Sequence, residues 1–145
     1  MNTASTSRSP RVLIVEDDRC IRLMLREVFS ERGFSVSDAA TGAEGLKTAT
    51  QTLPDVIVTD WSMPDMDGVE MLQRLMRSER TSEIPAVLLT SVGHRLDPAV
   101  LCGSGLRMIM GKPFSTRELL MQVDSLLGCT DDGRVAPAAG DRRAA

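Results

Sequence analysis

The chain has 145 residues, 42% of them hydrophobic and 26% charged, with a formal net charge of -3. That is one domain's worth of sequence, with a single core and no basic footprint for nucleic acid. No apolar run approaches the roughly 18 residues of a membrane span. One Trp, three Phe and no Tyr give little surface for stacking bases, and three scattered cysteines show neither zinc spacing nor a disulfide framework.

Residues 1–10 are rich in Ser and Thr, lack periodicity and read as a disordered N-terminus without the features of a signal peptide. A cytoplasmic protein is the expectation, and the odd cysteine count suits a reducing compartment. Arg11 to Val15 is a first apolar strand ending at Glu16-Asp17-Asp18. Ile21, Met24, Leu25, Val28 and Phe29 then mark one buried helix face, with Asp18 as N-cap and Gly33 at the C-terminal turn. Phe34 to Asp38 is a short second strand. Thr41 caps the next helix in a capping box with Glu44, with Ala43, Leu46 and Ala49 inward, and Pro54 ends it.

The third strand lies in the stretch VIVTDWSMPDMDG, Val56 to Gly68. Its continuous apolar run reads as a strand buried on both faces, stopping at the lone carboxylate of Asp60 before a Pro- and Gly-marked loop. A helix from Val69 to about Ser78 follows, inward at Val69, Leu72, Leu75 and Met76. Pro85 opens a fourth strand that ends at Thr90-Ser91. Asp97-Pro98 starts a short helix closed by Gly103 and Gly105. Leu106 to Met110 is the fifth strand, leading into Gly111-Lys112-Pro113. Ser115 caps the last helix in a capping box with Glu118, with Leu119, Leu120, Val123, Leu126 and Leu127 inward. Residues 11–127 form the domain, and 128–145 read as a flexible tail or linker. The alternation predicts an α/β fold with a parallel sheet, the first and third strands being central neighbours.

In such a sheet the carboxyl ends of all strands share one edge, where ligands bind. Strands about 4.8 Å apart bring Asp17 and Asp60 within reach of one ion. Their mutual repulsion, roughly 3 to 4 kcal/mol at an effective dielectric near 20, calls for a cation or a raised pKa. All-oxygen ligands suit Mg²⁺. With Lys112 and Thr90 offering a charge and a hydroxyl to a phosphoryl group, Asp60 is the candidate nucleophile.

The set Glu16-Asp17, Asp60, Thr90 and Lys112-Pro113 resembles the active residues of the response-regulator receiver domain, and DWSMPDMDG is similar to stand-alone, chemotaxis-type receivers. The resemblance covers about residues 10–127. It implies a flavodoxin-like (βα)5 fold with strand order 2-1-3-4-5. It implies that Asp60 accepts phosphate from a histidine kinase or histidine phosphotransfer protein, catalysing only its own phosphorylation and dephosphorylation, and thereby changes partner binding. Asp17, Asp60 and the backbone carbonyl of Ser62 would ligate Mg²⁺, Glu16 would act through water, and Thr90 and Lys112 would sense the phosphoryl group. The residue three before the lysine, usually aromatic in the family, is Ile109. Ser62 and Val92, two after the phosphoacceptor and two after the threonine, imply slow loss of phosphate.

A metal-dependent phosphatase or phosphotransferase working through an aspartyl phosphate is the competing expectation. It wants a second acid two residues after the nucleophile to protonate the leaving group, and that position is Ser62. A receiver used only for protein binding would be expected to lack one of the acids or the lysine. Blander readings stand beside these: Asp18 as a helix cap, His94 as a surface residue, Arg77, Glu79 and Arg80 as a solvated helix end, and Met63 and Met66 as mere flanks of the loop.

Overall fold

The computed structural model describes residues 9–91 and 106–128. In chain order the elements are β1 Arg11–Val15, α1 Arg19–Glu31, β2 Ser35–Ala39, α2 Gly42–Thr52, β3 Val56–Asp60, α3 Gly68–Leu75, β4 Ala86–Thr90, β5 Leu106–Gly111 and α4 Thr116–Leu126. Every pairing is parallel and the sheet order is β2-β1-β3-β4-β5, the doubly wound flavodoxin-like arrangement expected.

Because successive strand residues face opposite sides, each strand feeds two cores. Val12, Ile14, Val56, Val58, Val87 and Leu89 meet Leu25 and Phe29 of α1 and Leu119 and Val123 of α4. Leu13, Val15 and Ile57 meet Ala49 of α2 and Met71, Leu72 and Leu75 of α3 on the other side. With helices on both faces, all residues of β3 and β4 are buried. That explains their unbroken apolar runs.

The helix starts follow the predicted chemistry. Asp18, Thr41 and Ser115 each accept a hydrogen bond from the backbone N–H three residues on, and Asp67, which the sequence did not single out, does the same for α3. Glu44 completes its box one residue early, its Oε1 accepting from the Ala40 N–H at 2.9 Å. Gly33 closes α1 at φ 98°, a left-handed conformation that suits glycine.

Several details differ from the sequence expectations. Met24 is exposed on α1, because Leu25 and Phe29 define a narrower buried stripe. On α2 Ala43 is exposed and Gly42 and Gly45 take the buried places. α3 ends at Leu75, three residues before Ser78, and buries Met71 as well. Met63 and Met66 pack against the α2–α3 core cluster, so they are more than flanks. The expected helix at Asp97-Pro98, Val92, His94 and the tail from 129 lie outside the described residues, as does most of the N-terminal segment.

Candidate functional site

The β1–β3 register pairs Val15 with Thr59. The next residue on each strand is therefore Glu16 and Asp60, side by side at the carboxyl edge, with Asp17 one step beyond. Carboxylate oxygens of Glu16, Asp17 and Asp60 all lie within 4.8 Å of one another. Glu16 and Asp60 are buried and Asp17 is exposed. Lys112, two strands away past β5, reaches over this cluster: its Nζ lies 2.9 Å from Asp60 Oδ1 and 3.3 Å from Glu16 Oε1.

Three carboxylates facing one ammonium leave an excess of negative charge. Burial pushes the Asp60 carboxyl above its usual range, Lys112 pulls it back in part, and the Asp17 charge adds to the rise. Burial raises Glu16 too, against the Asp18 N–H and Lys112, with Asp60 adding to it. For Lys112 burial disfavours the ammonium, yet Asp60 and Glu16 outweigh it and hold its pKa above the ordinary value. The two acids rise chiefly because burial disfavours their charged forms, and the lysine rises because two carboxylates face it. An all-oxygen, net-negative cleft fits a hard divalent cation such as Mg²⁺.

Thr90 ends β4 beside this edge, and the Lys112 N–H donates to its carbonyl at 2.8 Å. Its hydroxyl donates to the Ser91 carbonyl at 3.2 Å. Ser62 is exposed in the β3–α3 loop. Ile109 is 40% exposed on β5.

The loop carrying Ser62 is held at several points. The Gly68 N–H donates to the Trp61 carbonyl at 2.8 Å, and a Cβ on Gly68 would be driven into the Asp60 carbonyl oxygen. Asp65 accepts from the Gly42 and Ala43 N–H groups at 3.0 and 2.9 Å, tying the loop to the start of α2. Sequence reasoning missed Asp65, since nothing in its spacing announces a cap for a helix that begins 23 residues earlier. It also missed Asp38, Arg22 and Arg26. Asp38 pairs with Arg22 Nε at 3.2 Å and with Arg26 Nη1 at 3.0 Å. A signal existed: β2 lies beside β1, so an acid near its carboxyl end belongs to the same edge.

The model of the response regulator receiver domain matches residues 12–124. The chain is 38% identical to the DNA-binding dual master transcriptional regulator RpaA of Synechocystis over 90% of its own length and 53% of that protein's. It thus spans about half the length of the curated relatives it matches. Among solved structures, a putative response regulator from Chloroflexus aurantiacus superposes with a TM-score of 0.75 at 30% identity, covering 83% of this chain and 98% of that one. The Vibrio cholerae chemotaxis protein CheY4 does so with a TM-score of 0.75 at 27% identity, covering 81% and 98%.

Proposed function

The chain belongs to the response regulator receiver domain family, the signalling domain of two-component systems, and from that premise we propose that Asp60 is its phosphoacceptor. A phosphohistidine of a histidine kinase or histidine phosphotransfer protein donates the phosphoryl group. An Asp60 carboxylate oxygen forms the new P–O bond as the N–P bond breaks, and the imidazole leaves with the electron pair. The chemistry is confined to the domain's own phosphorylation and dephosphorylation, and the reading makes the protein cytoplasmic.

The observation that carries this reading is the 2.9 Å approach of Lys112 to a buried Asp60 inside a cluster of three carboxylates. A carboxylate is a weak nucleophile, so the gain must come from positioning and charge cancellation. The buried end of β3 provides the first and Lys112 part of the second. Asp17, Asp60 and the Ser62 backbone carbonyl would hold Mg²⁺, with Glu16 acting through water. Bound there, the ion supplies the positive charge that lets a phosphoryl group enter an acidic cleft. Thr90 supplies a hydroxyl that exchanges the Ser91 carbonyl for a phosphoryl oxygen. No acid stands at Ser62 to protonate a small-molecule leaving group, which disfavours a phosphatase.

The test is incubation with acetyl phosphate, with and without Mg²⁺, followed by mass spectrometry of the Asp60 peptide. Labelling is expected only with Mg²⁺ and only in protein that retains Asp60. Undiminished labelling of Asp60→Asn would overturn the assignment.

A further inference from the structure

Every polar group of Glu16 is engaged. Its N–H donates to the Ala39 carbonyl at 3.0 Å. Its Oε2 accepts from the Asp18 N–H at 3.1 Å, and its Oε1 meets Lys112. Its carbonyl accepts from Arg22 Nη1 at 2.9 Å. That last bond is the unusual one. A strand-end carbonyl has no ladder partner ahead of it, and here a charged side chain reaches back from the first turns of α1 to hold it.

Arg22 can do so because its guanidinium is a fork. Nε is pinned by Asp38 Oδ2 at 3.2 Å while Nη1 points at the Glu16 carbonyl. Arg26, one turn further along α1, binds the other oxygen of the same carboxylate. The carbonyl of Glu16 belongs to the peptide that joins it to Asp17, so fixing that plane fixes where Asp17 departs from the strand. On its other side Asp18 is fixed as the cap of α1. Asp17, the exposed acid of the cluster, thus hangs between two immobilised neighbours.

We propose that Arg22, oriented by Asp38, is a positioning residue that holds the Glu16–Asp17 peptide and thereby aims the Asp17 carboxylate at the cation in the acidic cleft. The proposal rests on the reading of Asp17 and Asp60 as Mg²⁺ ligands. It separates two roles that a basic residue near an acidic cluster can play. A charge that merely eases repulsion is replaceable by Lys. A fork that holds both a carboxylate and a carbonyl is not.

The experiment is calorimetric titration of the full chain with Mg²⁺ alone, with no phosphodonor or kinase present. The variants are Arg22→Lys, Arg22→Met, Arg26→Met and Asp60→Asn, each checked for a cooperative melt. Loss of outer partners of metal ligands typically weakens metal binding about 10- to 100-fold. Both Arg22 variants are expected to show a weakening of about tenfold, and Arg26→Met almost none, because it shares Asp38 but leaves the carbonyl bond intact. Wild-type affinity in Arg22→Lys would overturn the proposal in favour of charge alone. Equal weakening in Arg26→Met would overturn it in favour of general loosening of α1. If wild type binds no Mg²⁺, or Asp60→Asn binds it unchanged, the underlying site reading fails, a result distinguishable from either of these.

Discussion

Asp17 and Asp60 contribute different things to the same cluster, although both are acids at strand ends. Asp60 is buried against an ammonium, so neutralising it strands Lys112 with Glu16. Asp17 is exposed, and neutralising it only relieves repulsion. Asp17→Asn is therefore expected to raise the metal-free melting temperature, by a stability gain on the order of 0.5 kcal/mol after solvent screening, while weakening Mg²⁺ binding. A lower metal-free melting temperature would show that Asp17 is held by partners and not repelled. The buried acids set a pH dependence. Asp60 and Glu16 have raised folded-state pKa values, so the fold favours their protonated forms. That advantage is complete below their unfolded values and is lost as pH rises through the folded ones. Mg²⁺, which needs the carboxylates ionised, should raise the melting temperature more at neutral pH than at acid pH. A hundredfold excess over the dissociation constant is worth about 2.7 kcal/mol. Asp65 has the opposite sign. Hydrogen bonds from the Ala43 and Gly42 N–H groups hold its carboxyl below the usual range. Its contribution is present above the unfolded value near ~3.9 and disappears as pH falls through the folded one. Melting temperature below about pH 4 should therefore fall more steeply in wild type than in Asp65→Asn; parallel curves would remove Asp65 from the list of stabilising contacts.

Among the elements, the strands and three of the four caps were legible in the sequence, and part of the α2 face was not. Val56 to Asp60 could be read because a strand covered on both sides needs no alternation, and β3 is buried throughout. The caps could be read because Asp18, Thr41 and Ser115 satisfy donors three residues on in the same chain segment. The inward face of α2 was read only in part: Ala49 is buried and Leu46 packs against the core, but Ala43 is exposed, and the two glycines that take inward places carry no hydrophobic signal. A Cβ on Gly45 would lie 2.8 Å from both Met71 Sδ and Val15 Cγ2, so the absent side chain is what lets α2 approach β1 and α3. Gly45→Ala is expected to lose about 1 to 3 kcal/mol by overpacking, despite better helix propensity. Chemical denaturation measures it, and a stabilised variant would mean that α2 shifts freely. The acidic edge was legible for a similar local reason: Glu16 and Asp60 directly end apolar runs, and Asp17 follows Glu16. Arg22 and Asp65 were not, since their partners lie on other elements and only the folded geometry joins them, whereas Asp38 was overlooked although its place near the end of β2 puts it on the same edge.

Across the whole molecule the sheet is unevenly mounted. β3 and β4 are fully buried, whereas β5 is an edge strand with most of its residues at least partly exposed. The acid and the ammonium of the 2.9 Å pair therefore stand on supports of different permanence: Asp60 ends β3, and Lys112 follows β5. Local opening draws on exposed backbone bonds and thin packing. Amide hydrogen exchange in the metal-free protein should then show β3 protected up to the global unfolding free energy and β5 exchanging through a smaller, separate opening. Equal protection of the two strands would contradict this. If it holds, the carboxylate is the fixed electrode of the site and the lysine its movable one. Release of the ammonium then needs at most the opening of one edge strand, and the rest of the sheet stays intact.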